Sequence, residues 1–206
     1  MKIVAHRGNA AEFRENSLDA IRSALEIGCK YVEFDVRLSQ DGVPVLVHDH
    51  KLKRIFNRRG TVSDYSAAQL WGFGIGRLSD AMALVRNHGA TAFVDLKPDS
   101  RAAVDAVLPL IGGHTLLSFN LDLLLYARSK GDVSIGWIVT DVGDKVRRRY
   151  EKALPDFLFI EQSLVTAPLW PAQWVAYGKG NVQKLSEFGV RYIEASSPRK
   201  FIEGCV

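Results

Sequence analysis

The chain has 206 residues, 47% of them hydrophobic and 24% charged, and its formal net charge is +4. This length and composition predict one globular domain over residues 1–206, and the mild, scattered positive charge favours small anionic partners over nucleic acid. No stretch approaches the roughly 20 apolar residues of a membrane span, which excludes stable membrane insertion. The chain turns polar at His6 before a signal-peptide apolar run develops, and Cys29 and Cys205 form no CxxC pair. A cytoplasmic protein without a disulfide framework or a thiolate metal site is therefore predicted.

Eight short runs rich in apolar, β-branched or aromatic residues are predicted strands: Lys2–Ala5, Tyr31–Val36, Thr91–Leu96, Thr115–Ser118, Val133–Ile138, Asp156–Ile160, Trp174–Tyr177 and Val190–Glu194. Most are separated by segments with apolar residues at helical spacing, as in Leu18, Ile21 and Leu25. Alternating strands and helices indicate parallel strands covered by helices, and eight such units close into a barrel. The sequence thus predicts an α/β fold of the small (β/α)8 TIM-barrel type.

One segment interrupts this alternation after the second strand. Gly42 to Leu78 contains a further apolar run, Val43–Val47, followed by a basic, glycine-rich stretch before the next helix near Ser79. We interpret it as an insertion into the barrel. The glycines at 72, 74 and 76 lack the preceding strand of a nucleotide-binding fingerprint, so they indicate an ordinary loop.

Ionisable residues occur at the ends of several predicted strands, where the active site of a barrel is built. His6 and Arg7 end the first strand, Glu33 and Asp35 lie on the second, and Asp95 lies on the third. Two residues apart, Glu33 and Asp35 point to the same face of their strand. If that face is the barrel interior, three carboxylates meet there and suit a hard ion, Mg²⁺ or Ca²⁺. The alternation leaves the opposite orientation, with Val32, Phe34 and Val36 inward, equally open.

Two histidines and an arginine are the candidates for chemistry on a phosphate. His6 and His48 can transfer protons near neutral pH. The Arg7 guanidinium can hold a phosphate with two hydrogen bonds, and Gly8 permits close approach of the backbone.

Five ordered blocks within about fifty residues carry a resemblance to a known family: His6-Arg7-Gly8, Glu15-Asn16-Ser17, Glu33-Phe34-Asp35-Val36, Asp41-Gly42-Val43-Pro44-Val45 and His48-Asp49. They resemble the glycerophosphodiester phosphodiesterases. Weaker matches follow in the expected order at Leu78-Ser79-Asp80-Ala81, Val94-Asp95-Leu96-Lys97 and Ser118-Phe119.

The resemblance implies a TIM barrel that hydrolyses glycerophosphodiesters to an alcohol and glycerol 3-phosphate with a divalent metal. It implies that Glu33, Asp35 and Asp95 hold the metal and that His6 and His48 are the general acid and base. Four further residues are implied at the substrate or next to it. Arg7 and Lys97 hold the phosphate, Glu15 joins the metal or orients Arg7, and Tyr177 contacts the substrate unless it is a core aromatic capping the barrel.

Three departures from the family pattern bear on metal and substrate. Asp95 stands where the family usually has the longer glutamate, the insertion after His48 is shorter, and the late strands differ at Trp174–Tyr177 and Ser196-Ser197-Pro198. A shorter insertion predicts a more open mouth. Two alternatives therefore stay open, a phospholipase D-like hydrolase of lysolipids and a catalytically silent phosphate-binding module. The sequence indicates no oligomeric state.

Overall fold

The computed structural model describes residues 1–178 and 182–202. Nine strands occur in this part of the chain: β1 (Lys2–His6), β2 (Tyr31–Leu38), β3 (Pro44–Leu46), β4 (Thr91–Leu96), β5 (Thr115–Ser118), β6 (Ser134–Val139), β7 (Phe157–Glu161), β8 (Trp174–Tyr177) and β9 (Val190–Ala195). All eight predicted strands are present, three with the predicted bounds and five with ends shifted by one or two residues. β3 is the apolar run of the predicted insertion.

Eight of these strands form a closed parallel ring. Its order is β1-β9-β8-β7-β6-β5-β4-β2, and β1 closes it by pairing in parallel with both β2 and β9. β3 lies outside the ring, antiparallel to the end of β2, with Leu46 opposite Val36. The predicted (β/α)8 barrel is confirmed.

Helices follow the strands and cover the outside of the barrel. Their bounds are α1 (Leu18–Glu26), α2 (Lys53–Phe56), α3 (Ala67–Gly72), α4 (Leu78–Asn87), α5 (Arg101–Ile111), α6 (Leu121–Lys130), α7 (Asp144–Ala153), α8 (Val182–Glu187) and α9 (Pro198–Ile202). Side-chain caps begin several of them at the mouth of the barrel. Ser17 accepts a hydrogen bond from the Ala20 backbone N–H, and Ser100 caps α5 in the same way. α1 then buries Ile21, Ala24 and Leu25 against the sheet, as their spacing predicts.

The barrel interior is a packed core of its own, separate from the larger core between strands and helices. Its members come from successive strands around the ring: Val4, Phe93, Leu117, Ile138, Phe159, Val175 and Tyr192. At the bottom, the Lys2 ammonium donates hydrogen bonds to the hydroxyls of Tyr31 at 3.2 Å and Tyr192 at 3.3 Å. It also lies 5.4 and 5.1 Å from the centroids of the two rings. We call Lys2, Tyr31 and Tyr192 the basal plug.

The insertion over residues 42–78 contains β3, α2, a 3₁₀ helix at Val62–Asp64, and α3. It has its own apolar cluster: Val45, Val47, Leu52, Val62, Ala67, Leu70 and Ile75. Gly72 ends α3, and Gly74, with a φ of +84°, turns the chain toward α4. The predicted insertion and its glycine-containing turn are both present.

Two observations concern the predictions on membranes and cysteines. Among the described residues, every helix is too short or too polar to cross a bilayer. Cys29 is buried in the main core as a free thiol, and Cys205 lies outside the described residues. One domain over residues 1–206 stays a prediction.

Candidate active site

Side chains from several strand ends line one cavity at the mouth of the barrel. β1 contributes His6 and the following Arg7, β2 contributes Glu33 and Asp35, and His48 follows β3. The cavity has a volume of about 210 Å³, and its other lining residues are Asp95, Lys97, Leu117, Phe119, Ile138, Phe159, Tyr177 and Glu194. Of the nine residues predicted for the site, eight meet here. Glu15 is the exception and lies behind Arg7.

Glu33, Asp35 and Asp95 form a buried carboxylate cluster. Asp35 of β2 is directly opposite Asp95 of β4, and the exposed fractions of the three residues are 2%, 1% and 6%. One oxygen from each lies within 4.8 Å of the others. Glu33 and Asp35 therefore point inward, which was one of the two orientations left open, while Phe34 packs in the outer core.

Burial and mutual repulsion act on these carboxyl groups. Burial, followed by the charges of Asp35 and Glu194, raises the pKa of Glu33 well above its usual value. Burial also raises the pKa of Asp95, although Lys97 opposes the shift. At Asp35 the neighbouring Lys97 and Arg7 outweigh burial and lower the pKa. The positive charges of Arg7 and Lys97 therefore do not offset burial and mutual repulsion at all three carboxylates.

The residues present fit a divalent cation. Asp95 Oδ2 accepts a hydrogen bond from Lys97 at 2.6 Å, but the buried Oδ1 has no hydrogen-bond partner. A buried carboxylate oxygen without a partner is costly, and this one belongs to a cluster whose candidate ligands are all hard oxygens. Such a set suits Mg²⁺ or Ca²⁺, with water or substrate completing the coordination.

Arg7 and Lys97 bring positive charge to the edge of the cluster. Lys97 Nζ lies 2.8 Å from Asp35 Oδ1 and 2.6 Å from Asp95 Oδ2, and these carboxylates outweigh burial and raise its pKa. Arg7 Nε lies 3.0 Å from Asp35 Oδ2 without the alignment of a hydrogen bond, whereas its backbone N–H donates to Glu33 Oε2 at 3.0 Å. Both side chains stay protonated at the mouth.

The loop after β1 owes its shape to unusual backbone conformations. Arg7 and Asn16 both have a φ of +57°, and Gly8 has a φ of +79°. A side chain at Gly8 would meet the backbone of α1, because an added Cβ would lie 2.5 Å from the Ala20 carbonyl carbon. Asn16 is buried and makes two hydrogen bonds with Asp35. It donates to the carboxylate Oδ2 at 2.8 Å and accepts from the Asp35 backbone N–H at 2.9 Å.

The two histidines reach the cavity from different elements. His6 Nε2 lies 3.9 Å from carboxylate oxygens of both Glu33 and Glu194, and its Nδ1 lies 3.4 Å from Ser196 Oγ. Burial, followed by the charge of Arg7, lowers the pKa of His6 to about 4. His48 Nδ1 lies 2.8 Å from Asp49 Oδ1.

Glu15 lies behind the cavity wall. Its Oε1 accepts a hydrogen bond from Arg7 Nη1 at 2.8 Å, and both of its oxygens also pair with Arg54 of the insertion. It lines a narrow crevice beside Asn16, His48 and Asp49 rather than the main cavity.

Sequence reasoning missed two charged residues. Glu194 is 9% exposed and lines the cavity from β9, and burial followed by the charges of Asp95 and Asp35 raises its pKa to about 8. Glu194 is an ionisable residue at the end of a predicted strand, and the same criterion had identified Asp95 as a site candidate. Arg54 contacts Glu15 and Asp49 across the insertion. A single arginine in a basic stretch gave no sequence signal of this kind.

Fold and site together define a TIM-barrel protein whose mouth holds a buried carboxylate cluster fit for a divalent ion, two histidines and two cations. A model of the glycerophosphoryl diester phosphodiesterase family matches residues 6–101, which include the whole carboxylate cluster. The predicted resemblance to the glycerophosphodiester phosphodiesterase family is thereby confirmed.

Individual relatives agree with this family model. The probable glycerophosphodiester phosphodiesterase 1 of Mycobacterium tuberculosis (strain H37Rv) is 32% identical over 153 residues, covering 74% of this chain and 51% of that protein. Human glycerophosphodiester phosphodiesterase 1 is 26% identical over 190 residues, covering 79% and 57%. The chain spans slightly more than half the length of these curated relatives.

Solved structures establish the fold. A phosphodiesterase from Oleispira antarctica, in complex with the product sn-glycerol-3-phosphate, has a TM-score of 0.86 at 23% identity and covers 99% of this chain and 96% of its own. A glycerophosphodiester phosphodiesterase from Thermotoga maritima has a TM-score of 0.82 at 24% identity, covering 98% and 96%. Nearly all of the described chain therefore shares the barrel of these proteins.

Proposed function

We propose that this protein hydrolyses glycerophosphodiesters to an alcohol and glycerol 3-phosphate. The proposal rests on one observation. Eight predicted site residues line a single cavity, and three of them are carboxylates that are close enough together to hold a metal ion. The family match over residues 6–101 and the product bound to the Oleispira antarctica relative support the choice of substrate.

Glu33, Asp35 and Asp95 would hold a divalent ion, Mg²⁺ or Ca²⁺. When bound, such an ion supplies Lewis-acid stabilisation of the charge that grows on the phosphoryl oxygens in the transition state. Arg7 and Lys97 add fixed positive charge at the same place. Asn16 donates one hydrogen bond to the Asp35 carboxylate and accepts one from the Asp35 backbone N–H, so this ligand is oriented before substrate arrives.

His6 and His48 would move the protons. One imidazole takes a proton from the nucleophile, either water or a neighbouring glycerol hydroxyl, and the other protonates the departing alkoxide. Both line the cavity from separate elements, which fits roles on two sides of a phosphate. Tyr177 lines the same cavity and would contact the substrate.

The activity test uses glycerophosphocholine and metal-stripped protein, to which Mg²⁺ or Ca²⁺ is then added. We expect release of glycerol 3-phosphate that needs the metal and falls by at least about 100-fold in His6→Ala and His48→Ala. His88→Ala is the matched control, because this exposed histidine at the end of α4 lies outside the cavity, with its Nδ1 2.9 Å from the Leu84 carbonyl of its own helix. Folded protein without activity under either metal would refute the proposal. Activity on lysolipids in that case would favour the phospholipase D-like alternative, and phosphate binding alone would favour the silent module.

A second substrate separates the acid from the base. A p-nitrophenyl diester has a leaving group that needs no protonation, so loss of the general acid should cost far less on this substrate than on glycerophosphocholine. Loss of the general base should lower the rate by the same factor on both substrates.

The cytoplasmic location predicted from the sequence stays a prediction.

A further inference from the structure

Arg54 is the one arginine of the insertion, within the described residues, whose guanidinium bridges carboxylates from two separate loops. Its Nε and Nη2 lie 2.5 and 3.0 Å from the two oxygens of Asp49. Its Nη1 and Nη2 lie 2.9 and 2.7 Å from the two oxygens of Glu15. The planar guanidinium therefore makes a paired contact with each carboxylate, a geometry that a lysine ammonium lacks.

Each of these carboxylates continues to a residue of the proposed mechanism. Glu15 accepts a hydrogen bond from Arg7, whose guanidinium also lies 3.0 Å from Asp35. Asp49 lies 2.8 Å from His48 Nδ1. A continuous chain of ion pairs thus runs from Asp35 through Arg7, Glu15 and Arg54 to Asp49, which contacts His48. Arg54 joins the Arg7–Glu15 pair to the Asp49–His48 pair.

The chain of contacts also fixes which nitrogen of His48 carries the proton. Hydrogen bonding to Arg54, followed by the contact with His48, lowers the pKa of Asp49 to about 2, so its carboxylate is ionised at neutral pH and only accepts hydrogen bonds. His48 Nδ1 must then be the donor. When the ring is neutral, Nε2 then carries no proton and can act on substrate protons in the cavity.

The backbone next to Arg54 is anchored in the apolar cluster of the insertion. Leu52, just before α2, is fully buried in the apolar cluster of the insertion. An isolated surface ion pair contributes little, and Arg54 is about half exposed. Two paired contacts from one anchored guanidinium can nevertheless hold side chains of two loops in one arrangement, because their relative positions are no longer independent.

We propose that Arg54 is a positioning residue that holds the tautomer of His48 and the orientation of Arg7 together, through Asp49 and Glu15. The inference rests on the proposed function. It assigns the insertion a part in aligning the site.

The test compares Arg54→Ala and Arg54→Lys with Arg14→Ala as the matched control. Arg14 also bridges the first loop and the insertion, because it donates to the Gly74 carbonyl and lies 5.0 Å from the centroid of the Phe56 ring. Within the described residues, the Arg14 side chain makes no hydrogen bond or ion pair with the carboxylate of its neighbour Glu15 or with that of Asp49. If tethering of the two segments were all that mattered, Arg14→Ala and Arg54→Ala should behave alike.

On glycerophosphocholine with the activating metal, we expect Arg54→Ala to lower kcat by about 10- to 100-fold and to raise KM, since a small misplacement of catalytic groups has effects of this size. The Arg54→Lys variant should recover only a minor part of the kcat that is lost in Arg54→Ala. Added guanidinium ions should restore Arg54→Ala several-fold but leave His48→Ala and Arg14→Ala unchanged. Wild-type kinetics in Arg54→Ala, full recovery with lysine, or an equal loss in Arg14→Ala would overturn the inference.

A spectroscopic measurement keeps this inference separate from the proposed activity. Ring ¹⁵N shifts should show His48 as the Nδ1–H tautomer in the wild type and as a mixture in both Arg54 variants, in which Asp49 is no longer held. An unchanged tautomer in folded Arg54→Lys would refute the inference whether or not the protein hydrolyses diesters. A changed tautomer in a protein without activity would refute only the proposed function.

Discussion

Asp95 is the carboxylate of the cluster whose buried Oδ1 has no hydrogen-bond partner. In Asp95→Asn we expect divalent metal to bind at least about tenfold more weakly, because the variant loses a charged ligand. The metal-free protein should not lose stability, since one buried negative charge beside Asp35 is removed. Calorimetric metal titration and thermal unfolding with and without metal measure the two effects.

The control for this experiment is Asp132→Asn, an exposed carboxylate at the opposite end of the barrel. It should change neither metal affinity nor the stabilisation that metal gives. Equal metal affinity in Asp95→Asn and the wild type would remove Asp95 from the ligand set.

Gly8 combines a left-handed backbone with close contact to α1. Gly8→Ala should lower the free energy of unfolding by more than the roughly 1–2 kcal/mol of backbone strain alone, because the new Cβ would meet the Ala20 backbone. Gly28 has a φ of +96° and open space around it, so Gly28→Ala should show the strain without the clash. Urea unfolding of both variants measures the difference. Equal losses would mean that the first loop moves aside at no cost.

At the scale of single elements, the strands were predictable because each is a short apolar run between helical segments. The direction of the β2 side chains was not, since Val32 through Val36 are all buried. A parallel strand in a barrel has apolar neighbours on both faces, so alternation of burial is lost. The spacing left both orientations open, and only the family resemblance, which implies that Glu33 and Asp35 hold a metal, favoured the inward one.

The insertion shows the limit of sequence patterns more clearly. Its apolar run and its glycines predicted a departure from the barrel, but short elements such as α2 have no periodicity to detect. The contacts of Arg54 join residues 39 and 5 positions away in the chain, at Glu15 and Asp49. Such contacts follow from the folded loop and have no signature in local sequence. Glu194, in contrast, could have been found, because it ended a predicted strand as an ionisable residue.

Because the insertion has its own apolar cluster, it should open independently of the barrel. Leu70→Ala removes a fully buried side chain from that cluster and should destabilise the insertion by about 2–5 kcal/mol. Hydrogen exchange should then speed up over residues 43–76 while the strands of the ring keep their protection. Equal acceleration in β5 and β6 would show instead that insertion and barrel unfold as one unit.

At the scale of the whole molecule, the buried thiol of Cys29 reports on global unfolding. Burial raises its pKa to about 11, so at pH 8 only about one thiol in a thousand is ionised in the folded protein. In a Cys205→Ser background, we expect modification by a disulfide reagent to follow the denaturant curve of the barrel. Rapid modification of folded protein would mean that α1 detaches locally from the sheet.

The basal plug decides how molecules travel through the site. Below the carboxylate cluster the barrel is filled by side chains, and Lys2 with its two tyrosines closes the far end. On the proposed activity, substrate and products therefore enter and leave through the same mouth, because the described residues leave no second exit through the barrel interior. Glycerol 3-phosphate that stays bound at the mouth excludes the next diester, so its inhibition should be competitive with the diester. Turnover should therefore slow as product accumulates, even when the substrate concentration is high.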